Sequence, residues 1–202
     1  MENEKNNMSS EESLRLIHQM IQSVKQDLED DSFYYLFWGW LVLVASVSNY
    51  ILDVSGYANP TIVWLLMPLG GIVTGIYAYR HEKTKKVKTY TDEVMKYVLF
   101  AFMISLLIVL FSQAKLGLNC YPMLMMVYAT LLYVSGGIIK FKPLMYGGYA
   151  NWIFAIVAFF VTFQIQLLLL AGAMLFGYII PGHLLKMRAD KANSISVTPS
   201  IS

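Results

Sequence analysis

Cys120, Met123, Met125 and Met126 place four sulfur atoms within seven residues, a set of soft ligands whose chemistry suits Cu(I). The same residues have a plainer use. Twelve methionines are spread along the chain, and an unbranched thioether fills irregular gaps between helices, so no metal site is assigned here. His18, His81 and His183 stand in separate segments without metal-ligand spacing. No Gly-rich phosphate loop follows a strand pattern, and no nucleophile, base and orienting acid recur at a spacing that would make a catalytic set. The reading is of a non-enzymatic protein with no catalytic residue, no cofactor and no metal.

Ionisable groups sharpen that reading. Asp, Glu, Lys and Arg are missing from the interior of every long apolar run, whereas proton relays, ion-coupled carriers and intramembrane metalloproteases keep such groups at depth despite their cost. The deepest strongly polar side chain is Asn151, whose amide suits a hydrogen bond between helices or the wall of a polar pocket. Pro68, Thr74 and Asn151 are therefore the residues on which a solute pathway would depend, with Pro68 also expected to kink its helix.

These residues must be held by membrane helices. The chain has 202 residues, of which 57% are hydrophobic, too apolar for an ordinary soluble domain. At 1.5 Å per residue, about 20 apolar residues cross a hydrocarbon core of about 30 Å. Runs of suitable length lie at 33–52, 60–79, 97–114 and 121–139. From Pro143 to Leu185 no charged residue occurs, which is room for two more crossings, 143–163 and 166–185, with Gln164 and Gln166 marking the expected turn. The expected fold is all-α and polytopic: six transmembrane helices in a membrane domain over 33–185, flanked by tails at 1–32 and 186–202.

Orientation follows from charge. Of the fifteen Lys and Arg residues, all but Lys115 fall on one side of this six-segment pattern, which places both termini in the cytoplasm. Five crossings would instead translocate Lys186, Arg188 and Lys191. Tyr34, Tyr35, Trp38 and Trp40 fit an aromatic belt at the inner end of the first span. The loop RHEKTKKVK fits a topology signal drawn to anionic headgroups. The net charge of +2 and the segregated basic residues exclude a nucleic-acid stripe. Cys120 is the only cysteine, which excludes an intramolecular disulfide. The polar first 32 residues lack the apolar region of a cleavable signal peptide.

Small residues suggest where helices meet. Gly71 with Gly75 makes a GxxxG pair, and Ala173 with Gly177 a small-xxx-small pair; both are expected at close helix contacts. Ahead of the first span, Leu14, Ile17, Ile21, Val24 and Leu28 recur at alternating spacings of three and four behind a capping box of Ser9 and Glu12. That pattern predicts an amphipathic cytoplasmic helix from about Ser10 to Leu28. Two heptads are too few for a free coiled coil, so the stripe is expected to dock on the bundle, the bilayer or a partner.

The residues Glu12-Ser13-Leu14 with Met20-Ile21, Trp38-Gly39-Trp40, Lys142-Pro143-Leu144 with Gly147-Gly148, and Gly177-Tyr178-Ile179-Ile180-Pro181-Gly182 carry a resemblance. From Glu11 to Lys186 the chain resembles uncharacterised small integral membrane proteins of Bacteroidetes-type bacteria. The resemblance implies a bacterial inner membrane, and no activity, ligand or catalytic residue. The expected function is a membrane scaffold or accessory subunit that docks an unknown membrane or cytoplasmic protein through its N-terminal helix. A small transporter or permease for a neutral or weakly polar solute is the alternative. The lipid bilayer is the one partner the composition names, and oligomerisation is left open.

Overall fold

A computed structural model describes the backbone of residues 10–82 and 90–197, and the side chains of 32–80, 93–117 and 119–191. Among the described residues the chain is helical with no strand. The α-helices are α1 (Ser10–Val54), α2 (Leu66–Glu82), α3 (Tyr90–Phe111), the single turn α4 (Gln113–Leu116), α5 (Cys120–Ile138), α6 (Lys142–Ala158), α7 (Phe163–Met174) and α8 (Ile180–Val197). Five stretches are long and apolar enough to cross a membrane: Ser32–Val54, Pro60–Arg80, Glu93–Phe111, Cys120–Ile138 and Phe163–Lys191. The third begins earlier than the apolar run alone implies, since α3 starts at Tyr90; the sixth expected crossing falls within Phe163–Lys191, and the fifth, 143–163, corresponds to α6, which at 17 residues is not among the five.

Helix α1 is the largest departure from expectation. The sequence pattern predicts a separate interfacial helix before the first span, yet Ser10 to Val54 is one helix of 45 residues, about 68 Å long. Nothing between Lys25 and Ser32 is a Gly or a Pro, so no residue there stops a helix once the span has nucleated it. The side chains of Leu14, Ile17, Ile21, Val24 and Leu28 lie outside the described residues.

The second span enters differently from the others. Pro60–Leu65 is a 3₁₀ helix and α2 begins at Leu66, so Pro68 stands in the first turn of α2 and not at a mid-helix kink. The reason is local. An α-helix running through Pro68 would drive its ring against the Trp64 carbonyl, whereas in a first turn its missing N–H costs nothing.

The core lies between α1, α5, α6 and the α7–α8 rod. Helices α5 and α6 form the most extensive pair, joined by a tight turn in which the Phe141 N–H donates to the Gly136 carbonyl at 2.8 Å. Lys140 in that turn takes the left-handed position (φ 52°) usually filled by Gly. One face of α6, made by Leu144, Gly147, Gly148, Asn151, Ala155 and Ala158, is buried at helical spacing. Helices α2 and α3 lie outside this core, α2 against α1 and α3 against α5, and no residue in the apolar window of α3 is buried.

Between α6 and α7 the chain turns at Phe159–Thr162, a few residues before the expected position. Thr162 is extended (ψ 161°), and Gln166 reaches back to donate to the carbonyls of Ala158 (2.9 Å) and Val161 (3.3 Å). Gln166 thus closes the turn from inside α7, which is why no Gly or Pro is needed there. Farther on, Leu175–Ile179 widens into a π-helix, the Ile180 N–H bonding the Leu175 carbonyl. Pro181 explains the widening, since in a regular helix its ring would press on the Gly177 carbonyl.

Glycines separate real contacts from apparent ones. A Cβ on Gly147 would lie 2.9 Å from the Gly177 Cα and carbonyl oxygen, and one on Gly177 would collide with the Asn151 amide. Ala173 is fully buried beside them, so the small pair in α7–α8 is a packing pair. A Cβ on Gly71 or Gly75 would meet nothing within 4 Å, and this corrects the expectation that their GxxxG meets another helix of the protomer. Their neighbour Gly70 makes the contact instead, against Leu41 and, at 3.6 Å, Phe37 and Trp38. We expect Gly147→Leu or Gly177→Leu to destabilise the detergent-solubilised protein by about 1–3 kcal/mol or more through overpacking. Gly71→Leu and Gly75→Leu should leave its thermal midpoint unchanged, which a thermal-unfolding series would check.

Candidate functional site

Asn151 is the polar residue singled out at depth, and it is fully buried. Its Nδ2 donates to the Gly147 carbonyl of its own helix and to the Ala173 carbonyl of α7, both at 3.0 Å. The second bond joins α6 to α7 beside the Gly147–Gly177 crossing. Thr74, by contrast, turns its hydroxyl back to the carbonyls of Gly70 (3.0 Å) and Gly71 (3.2 Å) within α2. Pro68 and Thr74 therefore lie on the helix that packs on α1, while Asn151 lies in the α6–α7 contact. The structure does not bring the three together.

Sequence reasoning misses a polar row on α1. Ser46, Asn49 and Asp53 follow one another at helical spacing toward the end of the first span, and the first two are fully buried. Ser46 Oγ donates to the Leu167 carbonyl at 2.6 Å, tying α1 to α7. With its amide oriented so that donors meet acceptors, Asn49 donates to the Pro60 carbonyl (3.2 Å) and accepts from Trp64 Nε1 (2.8 Å). Gln164 Nε2 donates to Asp53 Oδ2 at 2.8 Å. The rings of Trp64, Tyr121 and Phe163 meet around this row, with centroids 5.9 and 5.4 Å apart in the two contacts of Tyr121. The signal that could have found the row is an i, i+3, i+7 pattern of polar residues in an otherwise apolar span.

Tyrosines occupy the middle of the bundle. Tyr178 is buried between Tyr35 of α1 (6.0 Å) and Tyr128 of α5 (5.9 Å), and Tyr128 continues to Phe102 of α3 (5.7 Å). The sulfur set does not converge, since Met125 is fully buried in the core while Met126, the next residue, is 42% exposed. Cys120 is buried at the start of α5, and His183 is exposed on α8. Among the described residues no three His, Cys, Asp or Glu side chains gather as metal ligands would.

What the arrangement can do is hold helices together by bonds from side chains to backbone carbonyls. Asn151→Ala and Ser46→Ala should each lower the stability of the detergent-solubilised protein by about 1 kcal/mol, because each leaves a bond between helices unmade. The double variant should lose close to the sum, since the two bonds are made to different carbonyls, Ala173 and Leu167. Equilibrium unfolding of the four proteins checks both statements.

Compared with known proteins, the chain matches no protein-family model, no curated protein and no solved structure.

Proposed function

We propose that this protein is a non-enzymatic integral membrane scaffold or accessory subunit that docks a partner protein through the N-terminal part of α1. The observation that carries the reading is the continuity of α1 from Ser10 to Val54. Residues 10–31 prolong a membrane span by about 33 Å, so whatever binds this stem is coupled rigidly to the bundle.

Register adds to this. The three-and-four repeat of Leu14, Ile17, Ile21, Val24 and Leu28, continued along the same helix, arrives at Asp31, Tyr35, Trp38, Val42, Ala45 and Asn49. The last five are among the buried or core-packed positions of the span. A straight helix drifts by about 20° per heptad against such a repeat, so Leu28, two heptads from Val42, stays within about 40° of the side of α1 that packs on α7 and α8, while Leu14, four heptads away, is turned from it by about 80°. Contacts of Gly39 with Tyr178 and of Gly182 with Leu36 set α1 and α8 antiparallel. In that register Val197, the described end of α8, comes level with Ile21, and Leu14 and Ile17 lie farther along α1.

We further propose six crossings with both termini cytoplasmic in a bacterial inner membrane. The short α6 supports the count of six, because Gly136 meets Leu144 and Met145 near the turn while Gly148 meets Ala129 and Tyr133 farther along. Helix α6 so retraces α5, itself of spanning length. The transporter reading is supported less, since Pro68, Thr74 and Asn151 sit in separate contacts. Its solute pathway would have to avoid them.

Two experiments test these proposals. Reporters fused after Gly56 and Leu118 should be translocated, and those after Lys86, Lys142 and Lys191 should remain cytoplasmic; a translocated C-terminal reporter would remove the sixth crossing. For docking, Leu14→Asp with Ile17→Asp should abolish copurification of the partner at unchanged thermal stability. Val24→Asp with Leu28→Asp should lower stability, by about 1.5–3 kcal/mol for each apolar side chain that no longer packs. If the outer pair changed neither partner nor stability, the stem would lie on lipid and the scaffold reading would fail.

A further inference from the structure

On the side of α1 away from α7, Phe33, Leu36, Phe37, Trp40, Leu41 and Val44 line an apolar groove with a volume of about 690 Å³. Ser32 of α1 and Lys186 and Asp190 of α8 stand at one end of it. Small residues on both flanks create the groove. Gly182 lets α8 approach Leu36 closely, and Gly70 lets α2 approach Leu41, while Tyr77 of α2 stacks on Phe33 at 4.2 Å. The flanking helices therefore grip α1 at its edges and leave the face between them open, with Trp40 and Val44 each 49% exposed.

We propose that this groove holds one acyl chain of a phospholipid whose headgroup is a zwitterionic aminophosphate, as in phosphatidylethanolamine. The inference rests on the membrane reading of the chain and not on the docking role. Length is the first argument: Ser32 to Val44 is about 18 Å of helix, close to the roughly 15 Å depth of one leaflet. The volume lies within the range of small-molecule sites, about 300–1,000 Å³. Polarity is the second argument, since the groove is apolar along its length and charged only at the end where a headgroup would sit.

Charge selects the headgroup. Lys186 and Asp190 are one turn apart on α8, so they offer a cation to a phosphate and a carboxylate to an ammonium on the same face. The two charges sum to zero, which matches a zwitterionic headgroup and gives an anionic lipid no advantage. A primary ammonium donates hydrogen bonds to Asp190, and a quaternary choline has none to donate.

The test uses the full-length protein in mild detergent, given an equimolar mixture of phosphatidylethanolamine, phosphatidylcholine and phosphatidylglycerol and read by native mass spectrometry. One phosphatidylethanolamine per protomer should be retained about tenfold over either competitor, the scale of one charge-assisted hydrogen bond. Asp190→Asn should bring phosphatidylethanolamine down to the phosphatidylcholine level, and Asp190→Lys should shift the preference to phosphatidylglycerol. Asp190 is exposed, so neither change disturbs the core. Val44→Trp, which fills the open end, should remove all three lipids at unchanged thermal stability. Equal retention of the three lipids, or a preference that survives Asp190→Lys, would overturn the proposal. Recovery of the protein in the soluble fraction would instead overturn the membrane reading beneath it.

Discussion

The close crossing of α6 against the α7–α8 rod is the contact on which the rest of the bundle depends. In hydrocarbon, burying a leucine gains little over leaving it among lipid tails, so helices associate through backbone approach and hydrogen bonds. Gly147 and Gly177 allow the approach, and Asn151 supplies the bond to the Ala173 carbonyl. The three depend on one another: a Cβ at Gly147 would press on the Gly177 backbone, one at Gly177 would displace the Asn151 amide itself, and either would take that amide from its second acceptor. Because α6 also buries a full face on α5, this single crossing links the α5–α6 hairpin to the rod that packs on α1. The π segment belongs to the same constraint, since the backbone is widened where Gly177 meets Gly147 and just before Pro181.

Buried polar side chains in this chain follow one rule, bonding to backbone carbonyls and seldom to one another. Gln166 serves Ala158 and Val161 where α6 ends, Asn49 serves Pro60 where the second span begins, and Ser46 serves Leu167 in α7. Two of these places are helix termini, where carbonyls or the turn leading into a helix lack intrahelical partners and hydrocarbon offers none. The satisfaction is incomplete. Asn151 Oδ1, Gln166 Oε1 and the Tyr178 hydroxyl have no hydrogen-bond partner among the described residues, so part of the gain from each amide is offset by its own unpaired oxygen.

Length and hydropathy make the spans legible, because a hydrocarbon slab imposes them on any chain that crosses it. Asn151 is legible as a bond between helices for the same reason, since an amide at that depth needs an acceptor. The glycines are legible only in part. Gly71 and Gly75 repeat at the spacing of a packing motif, but spacing fixes a helix face without saying what lies opposite, and the flanking helix is met one residue away at Gly70. The position of Pro68 escapes sequence reasoning because a proline in an apolar run reads alike whether it kinks a helix or stands in its first turn; the 3₁₀ segment before it depends on Asn49 and Trp64, two residues distant in the chain. The groove beside α1 cannot be read at all, since it needs α8 alongside α1, an approach that no local pattern encodes.

Helices α2 and α3 show what the crossing at Gly147 does not organise. They are consecutive in sequence, yet they pack on opposite members of the core, α2 on α1 and α3 on α5, and their apolar side chains face outward along most of their length. In water such surfaces would be a liability, whereas in a bilayer they are ordinary lipid contacts. The rigid part of the protein is therefore α1 with α5, α6, α7 and α8, and both α1 and α8 run on beyond their apolar stretches. A core built by backbone contact among the apolar stretches is continued beyond them by two helices, α1 and α8, whose direction that core fixes.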